Sequence, residues 1–240
     1  MTLRKGRCDV DIILVPGLWL DGSSWERVVP PLEQAGHRAH PLTLPGLESR
    51  DTDRSGISLR DQVDAVVREI DASDGPVLLV GHSAGAGIAS IAVDARPDRV
   101  ARAVYVGGFP APDGEPLMAG FPVDGGDLPM PDWSEFDDAD LTDLDDAERD
   151  RFRARAIPSP ARLTTDPVRL SDDRRYDVPV TVVCPEFSSD MLRKWIEQDL
   201  PPVRGFRPLR SVEYVDLPTG HWPQFTRPDE LARILLERAV

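Results

Sequence analysis

Val77-Leu78-Leu79-Val80-Gly81-His82-Ser83-Ala84-Gly85 decides the fold of this chain. A wholly apolar run of four leads into Gly-x-Ser-x-Gly, and the small residues from Ala86 to Ala95 then read as a helix. Strand, tight turn and helix follow one another, with a serine at the apex. The two glycines have a physical reason. A serine held on a sharp turn in an awkward backbone conformation needs tiny neighbours two residues to either side. Its hydroxyl then stands above the sheet edge, and the first amides of the following helix point at any negative charge that forms there. Strand alternation turns His82 away from the serine's side, which predicts a packing or turn role for it.

Outward from this stretch, strand-like and helix-like segments alternate. Asp11 to Val15 reads as a strand closed by Pro16-Gly17, and His37 to Leu44 as a second. Ala103 to Val106, Val180 to Cys184 and Val212 to Leu217 complete the set. Between them, a helix capped at Ser23 or Ser24 runs to Gln34, with Pro30-Pro31 splitting it into two short pieces. Leu59, Val63, Val66, Val67 and Ile70 follow a helical period. Met191 to Gln198 and Asp229 to Ala239 supply two more helices. Such alternation predicts an α/β fold, a mostly parallel sheet of about six strands with helices on both faces.

Residues 110–177 break the pattern. The segment is rich in Pro, Gly and Asp, and a structureless loop of that length is unusual inside a compact domain. A solvated acidic surface or a disordered linker is one reading. The other is a cap inserted over Ser83, with Met118, Phe121, Met130, Trp133 and Phe136 as its apolar underside and a charged helix from Asp146 to Ala156. The whole chain, residues 1–240, reads as one domain with the 110–177 segment inserted within it.

Composition narrows the partners. A net charge of −14 disfavours nucleic acid and anionic membrane and says nothing about the reaction; a small-molecule substrate is the expected partner. No run approaches the length of a membrane span, and Met1 to Cys8 lacks the apolar stretch of a signal peptide. Only Cys8 and Cys184 are present, so no disulfide framework is expected and a cytoplasmic location is the default.

A serine needs a base to take its proton, and histidine is the natural one near neutral pH. Of four histidines, His37 and His40 are spaced like a metal pair but have no cysteine or carboxylate cluster beside them in the sequence; they read as surface or strand residues. His221 follows the last strand in a loop, which places it at the same sheet edge as Ser83. An oxyanion would be met by the Ala84 amide and by one from the loop after the first strand, where Leu18 follows Gly17.

These residues resemble the α/β-hydrolase superfamily over nearly the whole chain, and within it the small plant-type esterase and hydroxynitrile lyase branch with its bacterial relatives. The matching stretches are Leu14-Val15-Pro16-Gly17 with Trp25, Ala35-Gly36-His37, Gly81 to Gly85, Val183 to Glu186, and Gly220-His221. The resemblance implies an α/β-hydrolase fold and acyl transfer through Ser83, with His221 as base and then acid. It implies no metal and no organic cofactor. Two positions depart from it. Pro16-Gly17 stands where relatives have His-Gly, and the acid expected three or four residues past the Val180–Cys184 strand falls on Phe187 and Ser188. Glu186 is the expected acid, its longer arm offsetting its position; Asp113 and Asp190 are the alternatives, Asp190 sitting better in a helix first turn. Cyanohydrin-cleaving relatives place a lysine near the serine, whereas the only lysines here are Lys5 and Lys194. A non-hydrolytic lyase and a non-catalytic binding protein remain as rival readings.

Overall fold

The computed structural model describes residues 9–239; the Met1–Cys8 stretch, Lys5 included, lies outside them. Six strands form one parallel sheet in the order β2-β1-β3-β4-β7-β8. They are β1 (Asp11–Val15), β2 (Arg38–Pro41), β3 (Val77–His82), β4 (Val100–Val106), β7 (Val180–Cys184) and β8 (Val212–Asp216). The antiparallel pair β5 (Asp127–Leu128) and β6 (Ser159–Pro160) stands apart. Helices are α1 (Val29–Gln34), α2 (Leu59–Ala72), α3 (Ala84–Ala95), α4 (Asp146–Arg155), α5 (Ser189–Glu197), α6 (Pro223–Thr226) and α7 (Pro228–Leu236).

Alternation along the strands sorts the core into two layers. Ile13, Val15, Leu79, Tyr105 and Val182 face one side, where Val63, Val66 and Ile70 of α2 and Ile88 and Ala92 of α3 cover them. Ile12, Leu14, Val80, Val104 and Val183 face the other, against Trp25, Leu32 of α1, and Leu231, Ile234 and Leu235 of α7. Apolar residues on both faces are what a sheet covered twice requires. Cys184 is a buried free thiol, and burial pushes its pKa up to about 12.

Several expected boundaries move, each for a local reason. The first helical region is indeed two pieces, a 3-10 turn over Gly22–Trp25 and then α1. Its cap is Asp21 rather than either serine: the carboxylate accepts from Ser23 N at 2.8 Å. Pro30 and Pro31 enter α1 at its start, where a missing N–H costs nothing. The second strand is shorter than His37 to Leu44, ending at Pro41. His37 precedes it and is buried rather than at the surface.

Residues 110–177 are neither linker nor solvated surface throughout. Leu128, Leu144, Phe152, Ile157, Leu163 and Val168 are buried. The charged helix forms as α4, with the Asp145 carboxylate accepting from Glu148 N at 2.8 Å and arginines in the last turn. The segment is tied down on two sides. Trp19 N donates to Ser159 Oγ (2.9 Å) and Ile157 N to Trp19 O (3.0 Å). Gly220 N donates to Thr142 O (3.0 Å) and His221 N to Asp140 O (2.8 Å).

Candidate active site

The site sits beyond the carboxyl ends of the parallel strands, where loops after β1, β3, β4, β7 and β8 converge. Ser83 is the residue between β3 and α3. Its backbone has φ 54° and ψ −126°, a region L-residues rarely occupy and one that stores about 1–3 kcal/mol of strain. The turn holds because its neighbours lack side chains. A Cβ on Gly81 would stand 2.6 Å from Ala86 Cα, and one on Gly85 would stand 2.7 Å from Val15 O. Ser83 N donates to Val106 O at 2.9 Å, fixing the apex to β4.

His221 meets Ser83 in the loop after β8. Ser83 Oγ donates to His221 Nε2 at 2.8 Å, and His221 Nδ1 donates to Glu186 Oε1 at 2.7 Å. An ionised carboxylate only accepts, so Glu186 fixes the proton on Nδ1 and leaves Nε2 with its lone pair toward the serine. Burial works to lower the His221 pKa, but the charge of Glu186, its hydrogen bond and the more distant Asp140 together outweigh it and raise the pKa above 6.5. Glu186 lies two residues past β7, and its side chain spans the gap that Phe187 and Ser188 leave open. The other two candidate acids are elsewhere. Asp113 Oδ1 accepts from Leu170 N at 2.9 Å, and Asp190 occupies the first turn of α5.

Three supports surround this relay. His82 is fully buried on the opposite side of its strand from the serine, as alternation requires, yet its role reaches the site: Nε2 donates to the His221 carbonyl at 2.7 Å. Gln224 donates to its Nδ1 at 3.3 Å. Burial, with a smaller contribution from His221, depresses the His82 pKa to about 3, so it stays neutral. Trp222 packs edge-on against the His221 ring at 5.0 Å between centroids. Asp140, from the 110–177 segment, accepts the His221 amide on its carbonyl. Its carboxyl is held above the usual range, chiefly by burial. Nothing distinguishes it from its neighbours Asp137 and Asp138 in the sequence.

Asp140, Glu186 and His221 each place a ligand-type atom within 4.8 Å of the others, the one such group among the described residues. Both imidazole nitrogens there are already engaged by Ser83 and Glu186. His40, for its part, bonds carboxylates that the sequence keeps far from it: Nε2 lies 2.9 Å from Asp11 and Nδ1 2.7 Å from Glu69. Lys194 lies in α5 and does not line the cavities at Ser83.

Ala84 follows Ser83 directly, and Leu18 lines the same cavity as the serine. Ala84 opens α3, so its amide has no carbonyl of its own helix to bind. Gly17 lets the Leu18 loop approach: a Cβ there would stand 2.8 Å from His82 Nδ1 and 3.0 Å from Ser83 Cβ. Two cavities meet at Ser83. One, of about 310 Å³, is lined by His221, Glu186, Asp140, Trp19, Phe136 and Trp222 among others. The second, of about 430 Å³, runs along Gly87, Gly107, Phe109 and Leu117. Met118 borders both. Phe121, Pro131 and Glu135 add further walls from the 110–177 segment to the first. A ring cluster anchors that segment: Phe136 lies 5.9 Å from Trp19 and 5.5 Å from Trp222, and Phe152 lies 5.2 Å from Trp222. No helix among the described residues is long and apolar enough to cross a membrane.

Comparison with known proteins identifies the fold and the family. A family model described as the alpha/beta hydrolase family matches residues 12–234. Methylesterase 7 of Arabidopsis thaliana is 26% identical over 95% of each chain. A pyrethroid hydrolase of Sphingobium wenxiniae is 33% identical over 40% of this chain and 35% of its own length. Among solved structures, an extracellular alpha/beta-hydrolase from a Paenibacillus species superposes with a TM-score of 0.75 at 19% identity, covering 95% of this chain and 98% of that one.

Proposed function

The chain belongs to the alpha/beta hydrolase family, and from that premise we propose that it is a serine hydrolase of small carboxylic esters or lactones. The observation that carries this reading is the unbroken relay Ser83 Oγ–His221 Nε2 and Nδ1–Glu186. Of its relatives, one is named a methylesterase and another a pyrethroid hydrolase, and these names support an ester as the substrate class.

The reaction runs in two halves. Ser83 Oγ attacks the ester carbonyl while His221 Nε2 takes its proton, and Glu186 stabilises the imidazolium that results. Negative charge moves to the carbonyl oxygen, and this reading assigns the Leu18 and Ala84 amides to receive it, with the dipole of α3 adding its positive end. Collapse breaks the bond to the alcohol oxygen, which leaves with the proton from Nε2. Water then adds to the acyl-serine with His221 as base again, and the carboxylate product departs. The strained backbone at Ser83 keeps the hydroxyl projecting, so little reorganisation is needed at the moment of attack. The segment 110–177 acts as the cap that supplies the cavity walls.

A non-catalytic reading rests on a triad without its acid, and Glu186 stands in hydrogen bond with His221. The test is labelling by a fluorophosphonate probe. Folded wild-type protein should label at Ser83 and the S83A variant should not; an unlabelled wild type would falsify the proposal.

A further inference from the structure

Every Lys, Arg, Asp or Glu side chain lining the two cavities at Ser83 is acidic. Glu135, Asp140 and Glu186 line the His221 side, Glu115 lines the other, and no lysine or arginine lines either. Arginines elsewhere are paired with carboxylates in many bridges, yet among the described residues none pairs with Glu115, Glu135 or Asp140. Arg153, which could have offered a charge nearby, is turned to the Met130 and Pro131 carbonyls and the Trp133 ring. Glu186 has its His221 bond on one oxygen, while the other, Oε2, is buried without a partner. The Asp140 carboxyl accepts only a long bond of 3.3 Å from Asp137 N. Glu115 and Glu135 are open to solvent and Asp140 and Glu186 are half-buried; four carboxylates with no cation among them give the cavities a negative potential that draws a positively charged guest. The same cavity carries Trp19, Phe136 and Trp222, whose π-systems suit an alkylated ammonium better than a hydrated one.

Resting on the ester-hydrolase reading, we propose that the preferred substrates are cationic: esters whose alcohol half carries a tertiary or quaternary ammonium group. The alcohol half is assigned to the cavity shared with His221 because its oxygen must take the proton from Nε2. The acyl half then lies along Phe109, Leu117 and Gly87, an apolar wall. The assignment also gives the products different fates. The carboxylate released from Ser83 is born among like charges, and repulsion speeds its exit.

The test compares two acetates that differ by one atom, those of choline and of 3,3-dimethylbutan-1-ol. The cation should have the higher kcat/KM by about tenfold or more, a ratio that shrinks at high ionic strength. The D140N variant should lower that ratio whatever it does to the rate itself. A ratio of one or less in wild type overturns the proposal and leaves the hydrolase reading standing. Should Ser83 label with fluorophosphonate while neither acetate turns over, protection from labelling decides. Choline protecting better than 3,3-dimethylbutan-1-ol supports the proposal, and equal protection overturns it. Absence of both labelling and turnover removes the hydrolase reading and this proposal together.

Discussion

The sheet edge and the 110–177 segment hold the same histidine by different means. On the sheet side, Ser83, Glu186 and His221 each follow a parallel strand, and their places are set by strand register and by glycines too crowded to accept a Cβ. On the other side there is little regular structure. There, the carbonyls of Asp140 and Thr142 grip the His221 loop, and rings set edge-on grip Trp222. The contrast shows two kinds of rigidity meeting at one imidazole. One is built from continuous backbone ladders, the other from a few contacts whose loss is local.

Breaking the sheet side should have the larger effect. The E186Q variant keeps a side chain of the same size but frees the His221 tautomer, and kcat should fall by about 10⁴-fold with folding intact. Steady-state kinetics alongside circular dichroism checks this, and a loss under tenfold would mean Glu186 is not the orienting acid. The seam comes next. A Cβ at Gly220 would clash with the carbonyls of both Asp140 and Thr142, so G220A must push the histidine loop away from the segment. Misplacement on the scale of an ångström costs about 10²-fold, which should appear in kcat more than in KM.

A smaller effect sharpens the comparison instead of breaking it. The proposed mechanism needs neutral His221, and Glu186 and Asp140 both raise its pKa. The acid limb of kcat/KM should therefore move to lower pH in D140N, with kcat at the plateau within about tenfold of wild type. A limb that stays in place would show that the segment touches the histidine through backbone alone. The last effect is on stability. His82 titrates at about 3 when folded, against 6.5 ordinarily, so the unfolded state binds the extra proton between those values. Stability should fall as pH drops from about 6.5 toward about 3. The H82Q variant should show a shallower fall in Tm over that window.

The two regions also differ in how far the sequence reveals them. The sheet is legible because burial on both faces leaves continuous apolar runs such as Ile12 to Val15 and Val180 to Cys184, closed by turn residues. Ser83 and His221 could be placed at one edge because parallel strands put their following loops on the same side. Glu186 was the nearest carboxylate to the expected place, but its contact depends on a side-chain path that no spacing rule specifies. Asp140 was hidden among identical neighbours, since its position comes from long-range packing of rings and carbonyls. The same limit explains His40: its partners Asp11 and Glu69 come from β1 and α2, which only the folded chain brings beside it. At Asp21, Ser23 and Ser24 the difficulty was competition, with three good caps in four residues and only one used.

The hydrogen bond from the His221 amide to the Asp140 carbonyl limits how this enzyme can be re-engineered. Grafting a relative's loop in place of the walls would exchange the cavity lining and unseat His221, the proposed general base, in a single step. Selectivity and turnover are therefore not modular here. Directed evolution that keeps the backbone around Asp140 and varies the side chains at Met118, Phe121 and Glu135 has the freer route to new substrates.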